Sequence, residues 1–487
     1  MTDHNPTSPT SSHSQRPRVA VAGATGFIGS ALAKALSKRF ELVGLTRSPR
    51  PSLQDYAEVR RVDLFSRMDT LAGLENVDFA IYLVHSMMPS ARLVQAKFAD
   101  LDLLCADNFA KCAAQQGVKH IVYVGGLQPS GVTTSAHLKS RLEVEKALNT
   151  YGVPVTTLRA GMIVGGNGSS FQILKRLVER LPLMVCPSWT NTATQPVALK
   201  DVVWAIDQTI DSPGSGERVF DLGASEPCTY RELMATTAEE MGKKRRFIGV
   251  PLVTPALSRL WISTVTGAPK ALVAPLISSL RYAMIAREDP RHRLPGEPQT
   301  SVRETLRQAL REVPEADGPR AFRSAAKKQK PTVLSVQRMR LPPGRDADWA
   351  ADEYIRWLPS ATGWLLPLRI SESDGVLSFK LFSRGPSLLR IARKPNASRP
   401  VFRVLDGLLA RESPRGRLEF RTVLDGSTLI VAVHQFVPRL PWWIYRATQA
   451  LGHAWVMARF RRHLRKLSTL SANESRTTLQ LATPETP

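Results

Sequence analysis

The most regular pattern of apolar and polar positions lies near the start of the chain. Residues 19–22 (VAVA) form a short unbroken apolar run, Gly23, Gly26 and Gly29 follow at three-residue spacing, and SALAKALSKRF then repeats its apolar positions at helical period. An unbroken run of this length fits a buried parallel strand, and the 3.6-residue period fits a helix covering it. The order strand, glycine turn, helix aims free backbone N–H groups and the positive end of a helix at a diphosphate. A glycine triplet alone is a weak signal. Flanked by strand and helix, it predicts dinucleotide binding.

The alternation continues. Residues 41–46 (ELVGLT), 59–64 (VRRVDL) and 78–85 (DFAIYLVH) read as the second, third and fourth strands. A long helix is expected over 91–116 and a fifth strand over 120–124, followed by Gly125, Gly126 and Leu127. After a polar loop at 131–135 come a charged amphipathic helix over 136–149 and a sixth strand over 153–158, closed by Arg159, Ala160 and Gly161. Asp221, Leu222 and Gly223 mark a later strand end, before a helix over 230–241. Strand alternating with helix to about residue 245 predicts an α/β fold, a Rossmann-type doubly wound parallel sheet covered on both faces. No internal repeat is present.

From 247 to 286 the chain is apolar but broken by Pro251, Pro255, Arg259, Lys270, Pro275 and Arg281. No run reaches the ~18 residues of a membrane span, so amphipathic helices forming a substrate lid or surface anchor are expected. Residues 289–323 are polar and proline-rich around a helix over 302–312. Beyond them the texture changes: a strand over 332–340, a helix over 346–357, then strands over 376–382, 388–393, 401–405, 417–423 and 428–435. A last helix is expected from about 441 to 467. These elements suggest a smaller α+β sheet gripping one helix. The expected organisation is a disordered leader at 1–17, a nucleotide domain over 18–315 with its lid at about 225–290, a basic linker at 316–331, the α+β domain over 332–468 and a disordered tail at 469–487.

Charge sharpens the contrast between the two halves. The chain of 487 residues carries +24, and residues 331–487 hold 24 Lys and Arg against 12 Asp and Glu. Such a surface suits anionic lipid, phosphorylated ligands or nucleic acid, although no nucleic-acid motif is found, and an arginine-rich soluble surface is the equal alternative. The closing helix begins Pro441, Trp442, Trp443 and ends ARFRRHLRKL. Packing on the sheet is the first expectation for it, and lying on an anionic membrane the alternative. The four cysteines have no metal-ligand spacing, which fits a reduced, cytoplasmic protein with the membrane's inner face as a peripheral surface.

Candidate chemistry follows from the strand ends. The second strand of such a sheet ends beside the adenosine ribose, where a carboxylate binds the 2′-hydroxyl and an arginine the 2′-phosphate. Arg47 stands there with Arg50 nearby, favouring NADP, with NAD possible. A solvated loop arginine is the plainer alternative. Val84, His85 and Ser86 end the fourth strand. His85 is either on the nicotinamide side or a structural loop histidine.

GATGFIG, Asp63 with Leu64, YLVHS, YVGGL and LRAGMIVG together resemble an atypical short-chain dehydrogenase/reductase of the NmrA-like, NAD(P)-binding kind, over about residues 17–320. EYIRWLP, GRLEFR and FVPRLPWWIYRATQALGH resemble the helix-grip (START/polyketide-cyclase-like) domain carried by bacterial members of that group. The resemblance implies Gly23, Thr25, Gly26, Phe27, Ile28 and Gly29 as the diphosphate loop, Arg47 on the 2′-phosphate, and Asp63 and Leu64 flanking the adenine.

The catalytic Tyr-x-x-x-Lys of such reductases is absent. The corresponding helix reads His137, Leu138, Lys139, Ser140, Arg141. His137 is a candidate general acid, with a pKa near neutrality, and Arg141 keeps a fixed positive charge that cannot give up a proton. The alternative is an i,i+4 surface pair without chemistry. The leading expectation is an NADP-dependent oxidoreductase acting on a hydrophobic carbonyl or enone. The alternatives are a non-catalytic NADP sensor and a peripheral membrane or lipid-binding protein.

Overall fold

The computed structural model describes residues 16–48, 53–85, 91–129, 135–214, 218–250, 255–268, 273, 277–313, 330–363, 367–382, 385–395 and 398–481. Two sheets organise it. The first is built from β1 (Arg18–Ala22), β2 (Glu41–Thr46), β3 (Glu58–Arg61), β4 (Phe79–Tyr82), β6 (His120–Gly126), β7 (Val155–Ala160) and β8 (Arg218–Leu222), with β5 (Ala91–Gln95) diverted elsewhere. Its order is β8-β7-β6-β4-β1-β2-β3 and every pairing is parallel. The strand order reverses between β1 and β4, so a crevice opens at their carboxyl ends.

Pleating sorts β1 onto two faces. Val19 and Val21 share a core with α1 (Phe27–Leu36) and α6 (Leu199–Ile210), while Ala20 and Ala22 share one with α3 (Phe98–Gln115) and α4 (Ala136–Leu148). This is the doubly wound sheet the alternation predicted. Two strands are shorter than expected: β3 ends at Arg61 and β4 at Tyr82.

The second sheet contains β9 (Lys330–Arg340), β10 (Leu368–Ser373), β11 (Val376–Leu381), β12 (Ser387–Arg393), β13 (Val401–Asp406), β14 (Arg417–Val423) and β15 (Thr428–Pro438). They form an antiparallel run in the order β10-β11-β12-β13-β14-β15-β9, and β5 adds to β9 in parallel as the last strand. The helix expected over 91–116 is thus a strand followed by a helix. ARLVQ is apolar enough for either, and pairing with residues 330–335 decides it.

One face of the second sheet packs on α10 (Ala347–Thr362) and on the final helix, through Leu429, Val431, Tyr354, Met457, Phe460 and Leu464. The other face packs on α3, through Ile430, Ala432, Leu334 and Val336 against the same core that holds Ala20 and Ala22. Helix α3 therefore lies between two sheets, which explains why it is buried nearly all round. The closing helix is broken at Thr448 (φ −124°, ψ −80°) into α11 (Trp442–Ala447) and α12 (Gln449–Leu481), running past the expected end at 467 and into the segment read as a tail. Residues 316–329 of the expected linker and 1–15 of the leader lie outside the described residues. No helix among the described residues is long and apolar enough to cross a membrane.

Candidate functional site

The glycine turn closes β1 onto α1. Gly23 has φ +97°, a left-handed conformation that suits glycine, and the Gly26 N–H donates to its carbonyl at 2.8 Å. A Cβ on Gly29 would meet the Gly23 oxygen at 2.5 Å, and one on Gly26 would meet it at 3.0 Å. Gly26 caps α1 with no side-chain bond, and the first turn carries no acid. Those N–H groups and the positive helix end are left facing the crevice. Gly26 is exposed, and Thr25, Phe27 and Ile28 are half-buried. The Phe27 ring braces the turn from the side, lying 2.7 Å from where a Gly165 Cβ would be. The cradle fits a diphosphate sterically and electrostatically.

Arg47 is exposed immediately after β2, beside Ser48, whose N–H donates to Thr46 Oγ1 at 3.2 Å. It makes no ion pair among the described residues. Arg50 and Ser86 lie outside the described residues. Past the end of β3, Asp63 Oδ1 accepts from the Phe65 N–H at 3.2 Å, and Asn108 Nδ2 of α3 donates to the Leu64 carbonyl at 2.7 Å. These bonds hold Asp63 and Leu64 as a shaped turn rather than as strand. Val84 and His85 follow β4, Val84 leaning on the α3 core and His85 keeping accessible surface.

Helix α4 brings His137 to the same edge. Its N-cap Ser135 accepts from the Leu138 N–H at 3.2 Å and lies 3.0 Å from Ser279 Oγ. The His137 ring stands 6.1 Å from Phe98, and its Nδ1 is buried with no hydrogen-bond partner among the described residues. Burial, then the charge of Arg141, lowers the His137 pKa to about 4; Asp102 opposes this and His85 adds to it. The expectation of titration near neutrality is corrected on that ground: at neutral pH this imidazole is uncharged. The His85 pKa is also lowered, by the protein around it and then by Arg141.

Arg141 is not on the surface, so the i,i+4 surface pair is corrected too. Its guanidinium turns inward to a buried ion pair with Asp102 on α3, to which Ser140 Oγ also donates at 3.4 Å. Tyr82 and Tyr123, 6.1 Å apart, pack beneath it, and the Tyr123 hydroxyl donates to the Arg141 carbonyl at 3.2 Å. Burial pushes the Tyr123 phenol up to about 12 and the Tyr82 phenol well above its ordinary value. Both phenols keep their protons near neutrality and are buried away from solvent.

The structure thus gathers the glycine turn, Val84, His85 and His137 at one sheet edge, with Arg47, Asp63 and Leu64 at the neighbouring strand ends. Arg141 sits beneath that edge. Sequence reasoning missed Asp102, Ser279 and the two tyrosines. The available signal was the set of acids, Asp100, Asp102 and Asp107, inside an otherwise apolar helix.

This is the arrangement of a nucleotide-binding crevice on a doubly wound sheet. Residues 23–180 match the family model described as NAD(P)H-binding, so this stretch is an NAD(P)H-binding domain. The chain is 30% identical over 144 residues to the auxiliary protein GraX of Staphylococcus aureus (strain NCTC 8325 / PS 47), covering 29% of this chain and 43% of that one. It therefore spans less than half the length of that relative. Among solved structures, it is similar to the NADPH-dependent quinone oxidoreductase QOR2 of Escherichia coli in complex with NADPH (19% identity, TM-score 0.47), over 59% of this chain and 98% of that one. It is also similar to the triphenylmethane reductase of Citrobacter sp. in complex with NADP(H) (19% identity, TM-score 0.46), over 60% of this chain and 100% of that one.

Proposed function

We propose that this chain is an NADP-dependent oxidoreductase of the atypical short-chain type, acting on a hydrophobic carbonyl or enone. The observation that carries the reading is the buried, unpartnered Nδ1 of His137, which lies within electrostatic reach of His85 past the end of β4. A buried polar atom without a partner is costly, and a substrate oxygen in the crevice would satisfy it. Leu127, Leu138, Met284 and Tyr282 cluster nearby and supply apolar walls. Arg47, exposed and without an ion pair among the described residues, suits a 2′-phosphate.

A bound nicotinamide supplies the hydride. The protein's part is polarisation: neutral His137 donates an N–H hydrogen bond to the substrate oxygen, a role that needs no imidazolium, and the proton that completes the reduced product comes from solvent. Burial, and after it the charge of Arg141, keeps that imidazole neutral, while Asp102 pairs with Arg141 and fixes its place beneath the edge. Arg141 is a positioning residue. The second sheet, with α12 across one face, we read as a helix-grip arrangement.

The test pairs NADPH binding with NADPH oxidation over a panel of quinones, enones and aldehydes. His137→Gln is expected to lower kcat about 100-fold with NADPH affinity unchanged. Arg47→Glu is expected to weaken NADPH about 10-fold while sparing NADH. Tight NADPH binding with no turnover on any substrate overturns the enzyme reading and leaves a cofactor sensor. The inward turn of Arg141 is the observation that favours that second reading.

A further inference from the structure

The end of the second sheet nearest the start of α12 presents a surface the fold does not use. The apolar face of α12 is covered, since Met457, Phe460 and Leu464 are buried against the sheet. That face is therefore not free for a second surface. At the first turn of the helix, three segments converge. The Arg439 N–H and Gln449 Nε2 both donate to the Leu409 carbonyl at 3.3 Å, and Ala410 pairs with Pro438.

Three large apolar side chains project outward from these segments: Trp443 at 74% exposure, Leu451 at 63% and Leu408 at 45%. Arg411, Arg439 and Arg446 are exposed among them, and none makes an ion pair among the described residues. Arg92, at the start of β5, stacks on the neighbouring Trp442 at 4.3 Å. The carboxylate next to Arg411, Glu412, turns to Arg403 at 3.6 Å. Apolar tips ringed by uncompensated arginines match one chemistry, a bilayer interface with anionic headgroups: tryptophan favours the headgroup level, and arginine pairs with phosphate.

We propose that this tip docks the protein on anionic lipid membranes, with Leu408, Trp443 and Leu451 in the interface and Arg411, Arg439 and Arg446 on lipid phosphates. The contact is end-on, with the body of α12 standing off the membrane. It does not depend on the oxidoreductase reading, because no residue of the crevice takes part.

The test is co-sedimentation of the full chain with phosphatidylcholine vesicles, with and without phosphatidylglycerol. Binding is expected only with phosphatidylglycerol and is expected to weaken with salt. The pairs Trp443→Ser with Leu451→Ser, and Arg439→Glu with Arg446→Glu, are each expected to lower it about 10-fold or more, with NADPH binding and thermal midpoint unchanged. A second exposed apolar set, Leu183, Val185 and Ile248 on the paired strands Leu183–Pro187 and Arg246–Val250, serves as control. Val185→Ser with Ile248→Ser is expected to leave binding intact. No binding to phosphatidylglycerol vesicles at low salt overturns the proposal. So does binding that survives both tip pairs, or that the control pair abolishes.

Discussion

Of the three buried aspartates on helix α3, Asp102 at 1% exposure and Asp107 at 4% are each paired with a buried arginine. Five residues turn a helix through about 140° from the starting face, so the two acids leave α3 on different sides. Asp102 meets Arg141, 39 residues away, beneath the nucleotide crevice. Asp107 meets Arg421, 314 residues away on β14, at 2.5 Å, and also accepts from the Tyr151 hydroxyl at 2.7 Å. Arg421 continues to Glu419 at 2.9 Å. Burial pushes the Glu419 carboxyl up, yet Arg421, His434 and Arg399 together hold it well below the ordinary range. The same chemical pair is therefore put to two uses. One sets the charge under a site, and the other ties two halves of the chain together.

The largest effect should come from the tie. Asp107→Ala removes one of the two carboxylates that hold buried Arg421, deprives the Tyr151 hydroxyl of its acceptor, and is expected to cost about 3 kcal/mol. Urea unfolding should show one transition at a lower midpoint for probes in both sheets. Separate transitions in the wild-type chain would break the comparison, because the tie would then not join the two halves.

Acid should act next, through both regions. His137 and His453, the latter half-buried on α12 and 3.0 Å from Ser335 Oγ, have pKa values lowered to about 4, chiefly by burial. An unfolded histidine takes up its proton near 6.5, a folded one here only near 4, so falling pH favours the unfolded chain. Stability should be level above pH 6.5 and decline between 6.5 and 4, by up to about 3 kcal/mol per histidine. His137→Phe should flatten that limb, measured as the difference in urea midpoint between pH 7.5 and pH 5. An unchanged limb would show that His137 is not held neutral.

The smallest global effect is expected at the site pair. Arg141→Met with Asp102→Leu replaces a buried pair by apolar groups of similar size and should change stability by about 1 kcal/mol or less. The His137 titration, followed by NMR, should nevertheless move up, because Arg141 lowers it more than Asp102 raises it. A large loss of stability without movement of that titration would make this pair a tie like the other.

How much of this was written in the sequence depends on how far each feature reaches along the chain. The glycine turn was legible because strand, turn and helix are contiguous, and the parallel sheet because its apolar runs alternate with helical periods. Strand β5 was misread as helix because its pairing partner lies in another half of the protein. The His137 helix could be located, but its titration could not, since burial and the Arg141 charge arise only in the fold. Asp102 and Asp107 were visible as letters. Their opposite partners were not, because each is chosen by packing on a different side of one helix.

The loan of β5 to the second sheet also imposes an order on biosynthesis. Gln95 waits for Ser335, which emerges 240 residues later, and at ordinary elongation speeds that is roughly 10 to 50 s. By residue 126 five of the seven strands of the first sheet have been made, while the outer flank of α3 remains bare of its second cover. The nascent protein thus has an unshielded apolar surface and an unpaired strand at a stage when its cofactor cradle is already made. Early occupancy of that cradle would steady the half-built sheet before its second half leaves the ribosome.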